Sequence, residues 1–267
     1  MSDETEVLLE RLEDGVLTIT LNRPESMNAL NPPLMRRLVD ATQRAAQDSA
    51  VGCVVLTGAG KGFCAGGDAK AVAKGREQVE AAQAASEADK PKKKVTTREE
   101  RAAWIRRSGE ASRLLHEMHK PTIAMINGGC AGAGMSLAGA CDLRIAGESA
   151  RFSTAFANFG ISGDYGGSYF WTRILGAAKA RELYFLAEKF DSAQALALGV
   201  VSAVHPDDQL AERTMAVARR LAARSATTFS YMKRALNAAE NGRLDEILEM
   251  EAWNVVLSRE AGLAARS

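Results

Sequence analysis

Asn127-Gly128-Gly129-Cys130-Ala131-Gly132-Ala133-Gly134 follows the apolar run Thr122-Ile123-Ala124-Met125-Ile126, and the residues after it, Met135 to Ala140, are apolar and helix-compatible. A short buried strand that ends in glycines and leads toward a helix is the building unit of an α/β fold. A second segment of the same make, Gly62-Phe63-Cys64-Ala65-Gly66-Gly67-Asp68, follows the apolar strand Cys53-Val54-Val55-Leu56-Thr57, which Gly58 ends. Residues without long side chains let the backbone come close to a ligand. At a helix start the free N–H groups and the dipole favour negative charge. Two such loops can aim two donors at one developing oxyanion, each contributing about 2.7–4 kcal/mol to a transition state. Two tight turns would have the same composition, and composition alone leaves both readings open.

Phosphate-loop readings fail on detail. Gly58-Ala59-Gly60-Lys61-Gly62 lacks the spacing and the Ser or Thr after lysine, and Gly132-Ala133-Gly134 lacks the third glycine of a dinucleotide fingerprint.

Working outward, residues 7–21 predict two strands. Val16-Leu17-Thr18-Ile19-Thr20-Leu21 alternates, and Asp14-Gly15 supplies the hairpin turn before it. Asn22 to Asn31 is loop-like. Leu34 to Gln47 has helical periodicity, with Pro32 and Pro33 at its start. Residues 71–101 are rich in Ala, Lys and Glu around Lys90-Pro91-Lys92-Lys93-Lys94, which predicts a helix, an exposed basic loop and another helix. Trp104 to Met118 reads as one amphipathic helix, and Pro121 breaks it. Leu143-Arg144-Ile145-Ala146 is a further short strand. Helical stretches follow Gly176 at about 177–187, 192–198, 207–223, 225–240 and 243–258. The expected organisation is an α/β core over residues 1–205 and a helical segment over 206–267, with no internal repeat.

The whole chain bounds the function class. Its 267 residues suffice for one large domain, and a formal net charge of +1 gives no global basic field of the kind that collects nucleic acid. No apolar run is long enough to span a bilayer. Met1 to Glu6 is acidic and lacks the layout of a signal peptide, and the four cysteines show no CxxC spacing. A cytoplasmic protein with reduced thiols is the expectation. His116 and His119 alone are too few for a metal site, so none is expected.

Several segments together resemble the crotonase (enoyl-CoA hydratase/isomerase) family. Asn22-Arg23-Pro24 followed by Asn28-Ala29-Leu30 is similar to its early CoA-binding segment. Phe63-Cys64-Ala65-Gly66-Gly67-Asp68 is similar to its first oxyanion loop, and Asn127-Gly128 through Gly134, closing with Cys141-Asp142, to its second. Phe159-Gly160 through Gly166-Gly167, with Arg173 and Gly176, resembles the segment after that. Ala195-Leu196-Ala197-Leu198-Gly199-Val200-Val201 resembles a late family stretch. The likeness covers about residues 8–260 in order.

The resemblance implies a repeated ββα spiral core with a helical C-terminal trimerisation region, as a homotrimer or a dimer of trimers. It implies a CoA thioester as substrate and no permanently bound cofactor. It assigns the oxyanion donors to the amides of Ala65 and Ala133. It places Arg23, Ala29, Gly67, Asp68, Lys70, Gly132 and Lys233 along the CoA, with Asp68 expected to order its loop.

The likeness also breaks. The two positions that carry glutamates in the family's hydratases are Ser136 and Phe156 here, and neither can act as a carboxylate base. Asp164, in Gly160-Ile161-Ser162-Gly163-Asp164-Tyr165-Gly166-Gly167-Ser168, is instead similar in position to a proton-transferring aspartate of dienoyl-CoA isomerases. It is also similar to the nucleophilic aspartate of a chlorobenzoyl-CoA dehalogenase branch. Asp164 is thus the expected catalytic residue, as acid/base for hydration or isomerisation or as nucleophile for hydrolysis. Ser136, Phe156 and Tyr165 are expected substrate contacts. A catalytically silent CoA-binding subunit is the reading from another class.

Overall fold

The structure, a computed structural model, describes residues 7–68 and 97–264; Lys70 and the basic run around Lys92 lie outside them. Strand β1 (Leu8–Glu13) pairs antiparallel with β2 (Val16–Leu21), and the turn residues Asp14 and Gly15 take φ of 51° and 73°. Two left-handed residues in succession match the twist of the flanking strands. Helix α1 (Pro32–Gln47) begins as its sequence dictates. The Asn31 side chain accepts from the Leu34 N–H at 3.0 Å, and the two prolines fill the first turn, where no N–H is needed. Leu34, Leu38, Ala41 and Ala45 form its buried stripe.

From here the chain winds as a spiral. It runs β3 (Cys53–Gly58), β4 (Gly62–Cys64), α2 (Arg98–Ser108), α3 (Glu110–Glu117), β5 (Thr122–Ile126), β6 (Gly129–Ala131) and α4 (Ala133–Ala140). It continues through β7 (Leu143–Gly147), β8 (Arg151–Ser153), a 3-10 turn at Phe156–Phe159 and α5 (Gly167–Leu186). Then come β9 (Phe190–Asp191), α6 (Ser192–Leu198), β10 (Ala203–His205), α7 (Leu210–Ala222), α8 (Ala226–Ala239) and α9 (Leu244–Ala264).

One sheet has the order β1-β2-β3-β5-β7-β10 and the other β4-β6-β8-β9. Each of β3, β5 and β7 is followed at once by a strand of the second sheet, which is the ββα repeat. All strands beyond the hairpin pair in parallel, except β8 with β9.

Every residue of β3 is buried, as expected for a parallel strand covered on both faces. Val54 and Leu56 join Leu34, Leu38 and Ile126 in the main core. Cys53 and Val55 face a second core with Val16, Ile123, Ile145 and, from α7, Leu210 and Ala218. Helix α8 is pinned to the spiral by a buried ammonium. Lys233 Nζ donates to the carbonyls of Leu115 (2.9 Å) and Lys120 (3.2 Å) and to Asp142 Oδ2 (2.8 Å). The same carboxylate oxygen accepts from the Thr122 N–H (2.7 Å) and hydroxyl (3.0 Å).

Three expectations change. The helix read over 104–118 is two, broken at Gly109, a poor helix former that follows Ser108, whose hydroxyl bonds back to the Trp104 carbonyl. The glycine loop at 128–134 contains strand β6, because parallel neighbours on both sides satisfy its backbone. The helix expected only after Gly176 already starts at Gly167, and Gly176 (φ 77°, ψ 158°) kinks it without ending it.

Candidate active site

Three successive spiral turns deliver three loops to one place. The first loop follows β4. Asn28, fully buried, clamps it by donating to the carbonyls of Ala59 (2.9 Å) and Gly62 (2.7 Å). Residues 27–30 then run beside 65–68. Met27 O accepts from the Ala65 N–H (2.9 Å), the Leu30 N–H donates to Gly66 O (2.7 Å), and Leu30 O accepts from the Asp68 N–H (3.1 Å).

This pairing takes up the amide expected to serve an oxyanion: the Ala65 N–H donates to Met27 O instead. The Gly67 N–H, between two paired residues, has no partner among the described residues. Among the described residues, a Cβ added at Gly67 would meet nothing within 4 Å. Arg23 fastens the loop, with Nη2 3.1 Å from Asp68 Oδ2 and Nη1 donating to Ala29 O.

The second loop follows β6. Ala133 opens α4, so its N–H has no carbonyl one turn back to bond. Gly66 lies against it: a Cβ there would sit 3.0 Å from Ala131 O and 3.4 Å from Ala133 N, and Gly66 has φ 95°. The two glycine loops therefore touch, with Gly66 and Gly132 as the contact. A contrast at adjacent residues follows. Gly66→Ala should lose about 1–3 kcal/mol, since the methyl meets backbone at a left-handed φ. Gly67→Ala should stay within about 0.5 kcal/mol. Urea midpoints of the two variants check this, and equal midpoints would refute the packing described.

The third loop follows β8 and carries Asp164 in a turn where Gly163 (φ 115°), Tyr165 (51°) and Gly166 (76°) are all left-handed. Asp164 is half-buried, its Oδ1 has no partner among the described residues, and burial pushes its carboxyl up to about 6. It lies near the first loop: the Cys64 thiol is pushed up to about 12, chiefly by burial, with the Asp164 charge contributing. Phe156 packs between the second and third loops, since a Cβ on Gly132 or Gly163 would lie 3.7 Å or 3.6 Å from its ring.

Ser136, on α4, is fully buried and faces the same region, and Tyr165 is buried with its hydroxyl unpartnered among the described residues. Tyr184 joins the group although nothing in the sequence singled it out; it reaches back from α5 to Gly163 and Gly167. Lys233 does not join, because its three donors are used inside the fold as described above. His116 packs against Tyr169 and Phe170, with Glu240 Oε2 3.8 Å away. A cavity of about 740 Å³ begins one residue beyond Asp164, lined by Ile105, Gly109, Ser112, Tyr165, Tyr169 and Phe170, and does not include the glycine loops. Among the described residues no three His, Cys, Asp or Glu side chains are grouped to hold a metal ion, and no helix is long and apolar enough to cross a membrane.

Comparison with known proteins agrees with this architecture. The enoyl-CoA hydratase/isomerase family model matches residues 11–257. The 1,2-epoxyphenylacetyl-CoA isomerase of Escherichia coli (strain K12) is 34% identical over 246 residues, covering 92% of this chain and 87% of that protein. Among solved structures, an enoyl-CoA hydratase from Polaromonas sp. JS666 superposes with TM-score 0.83 at 28% identity, covering 97% of this chain and 95% of that one. An enoyl-CoA hydratase from Bacillus anthracis gives TM-score 0.82 at 27% identity, with the same coverage of 97% and 95%. A spiral of ββα turns, two touching glycine loops and a family match over nearly the whole length converge: the chain belongs to the enoyl-CoA hydratase/isomerase family and is an acyl-CoA enzyme of that kind.

Proposed function

We propose that this enzyme isomerises an acyl-CoA thioester through its enolate, with the amides of Gly67 and Ala133 polarising the thioester carbonyl and Asp164 moving the proton. The observation that carries the proposal is Asp164 itself. It is a carboxyl with a buried oxygen unpartnered among the described residues, on the loop that follows two glycine loops whose Gly67 and Ala133 amides have no backbone partner there, and burial lifts it to about 6. A base that ionises near working pH is best suited to take a proton and return it. Isomerisation needs one such group, which takes a proton from one carbon and delivers it to another. Hydration by two carboxylates is disfavoured, because the positions matching the family's glutamates are Ser136 and Phe156. The isomerase among the relatives supports the same reading. Self-association, as a trimer or dimer of trimers, is supported by the exposed apolar residues Leu244, Leu248, Trp253 and Val256 on α9.

The test is solvent exchange. Phenylacetyl-CoA incubated with the enzyme in deuterium oxide should gain α-deuterium, and a β,γ-unsaturated hexenoyl-CoA should become conjugated, as mass spectrometry and thioester absorbance will show. Tight binding with neither exchange nor migration, across a panel of thioesters, would mark a silent CoA-binding subunit and end the proposal.

A further inference from the structure

Two hydroxyls meet under the turn that carries Asp164. A Cβ on Gly167 would stand 2.3 Å from Ser136 Oγ and 2.4 Å from Tyr184 Oη, so both oxygens crowd one point. A Cβ on Gly163 would stand 3.3 Å from Tyr184 Cε1. The phenol ring therefore runs along the inner side of the turn, from Gly163 at one end to Gly167 at the other. The Phe156 ring, 5.8 Å away between centroids, supports it, and Thr154 Oγ1 donates to Leu183 O (2.7 Å), fixing the helix just before Tyr184.

Three polar side-chain atoms here lack a formed bond among the described residues. Ser136 Oγ, Tyr184 Oη and Asp164 Oδ1 are each buried without a hydrogen-bond partner among the described residues. Ser136 is close enough to act on the phenol's acidity, although the pair falls short of hydrogen-bond geometry. Buried polar groups are seldom left unbonded, and their cost in a dry site is high, so two that share one point under the turn carrying Asp164, whose charge bears on the Tyr184 phenol, call for a role. A phenol can donate to a carboxylate while accepting from a serine hydroxyl.

We propose that Tyr184, backed by Ser136, is a positioning residue whose hydroxyl steadies the Asp164 carboxyl as it takes and returns the acyl proton. The inference rests on the proposed role of Asp164. In the step, the carboxylate takes a proton from an acyl carbon and becomes a carboxylic acid, while the C–H electron pair enters the enolate. The acid then gives that proton to another carbon of the conjugated system and is a carboxylate again. The hydroxyls gain and lose no proton overall.

The other titratable groups that bear on Asp164 are Cys64 from β4 and Tyr165 beside it. Both are pushed up mainly by burial and stay neutral in the working range. A hydroxyl donating to the carboxylate favours its ionised form, so losing that donor raises the pH at which the base ionises.

Tyr184→Phe keeps the ring and removes the oxygen. With a β,γ-unsaturated hexenoyl-CoA as probe, kcat should fall about 10-fold or more while KM stays within about two-fold, since a displaced base costs rate more than binding. The midpoint of the kcat–pH profile should move up, and Ser136→Ala should move it the same way. Wild-type kcat and midpoint in Tyr184→Phe, with Asp164→Asn inactive, would reduce the pair to packing and overturn the proposal. An Asp164→Asn variant that stays active would overturn the base itself, and this inference with it. If Tyr184→Phe does not fold, Ser136→Ala decides by the same measurements.

Discussion

Asp164→Asn should lower kcat for double-bond migration by about 10³-fold, within the range an acid/base group supplies, and leave KM within a few-fold. Asparagine keeps the shape of the side chain and cannot ionise, while the two free amides remain. Because burial places the carboxyl at about 6, the wild-type rate should rise with pH through that value and level off above it. The residual rate of the variant should show no such step. A variant with undiminished kcat would remove Asp164 from the chemistry.

The same shift sets a stability effect of definite sign. The folded carboxyl titrates near 6, above its ordinary 3.8, so folding favours the protonated form. Its contribution is complete below pH 3.8 and is lost as pH rises through about 6. Above that, a buried charge weakens the fold by about 2 kcal/mol, at roughly 1.4 kcal/mol per pKa unit with some discount for partial exposure. Asp164→Asn should therefore be more stable than wild type at pH 8 and not at pH 4, as urea midpoints will show. An active-site group that destabilises its own fold is a common trade.

The largest loss of stability is expected at Lys233→Ala, about 3–5 kcal/mol in urea denaturation. The Lys233 side chain is 9% exposed and its partner Asp142 28%, so among the described residues deletion leaves the carboxylate with the Thr122 bonds alone to hold it. The two carbonyls it serves, from Leu115 and Lys120, lose a donor as well. Combining Lys233→Met with Asp142→Asn should recover a large part of the loss, because no unpaired charge is then buried. Additive losses in that cycle would mean the pair is not coupled.

The elements legible in the sequence are those whose causes are local. The Asp14-Gly15 turn, the proline-started helix from Pro32 and the apolar strands at 53 and 122 each carry their own periodicity or cap. The three-residue strands β4, β6 and β8 do not, since their pairing comes from neighbours a full spiral turn away. The hydrogen bond that occupies the Ala65 amide was hidden for the same reason. Which of Ala65 and Gly67 has a free N–H depends on residues 27–30, whose pairing with the loop no composition reveals. Asp164, the proposed base, drew notice in the sequence because it stands among glycines in a segment with family likeness. Tyr184 did not, because a kink at Gly176 brings it back to a turn some twenty residues earlier.

Peptide nitrogens as the proposed polarising pair have a genetic corollary. Every amino acid but proline supplies one, so nearly all codon changes at residues 67 and 133 leave the atom itself in place. Lineages can then vary the acyl-facing side chains, and with them the thioester accepted, while inheriting the electrophilic apparatus intact.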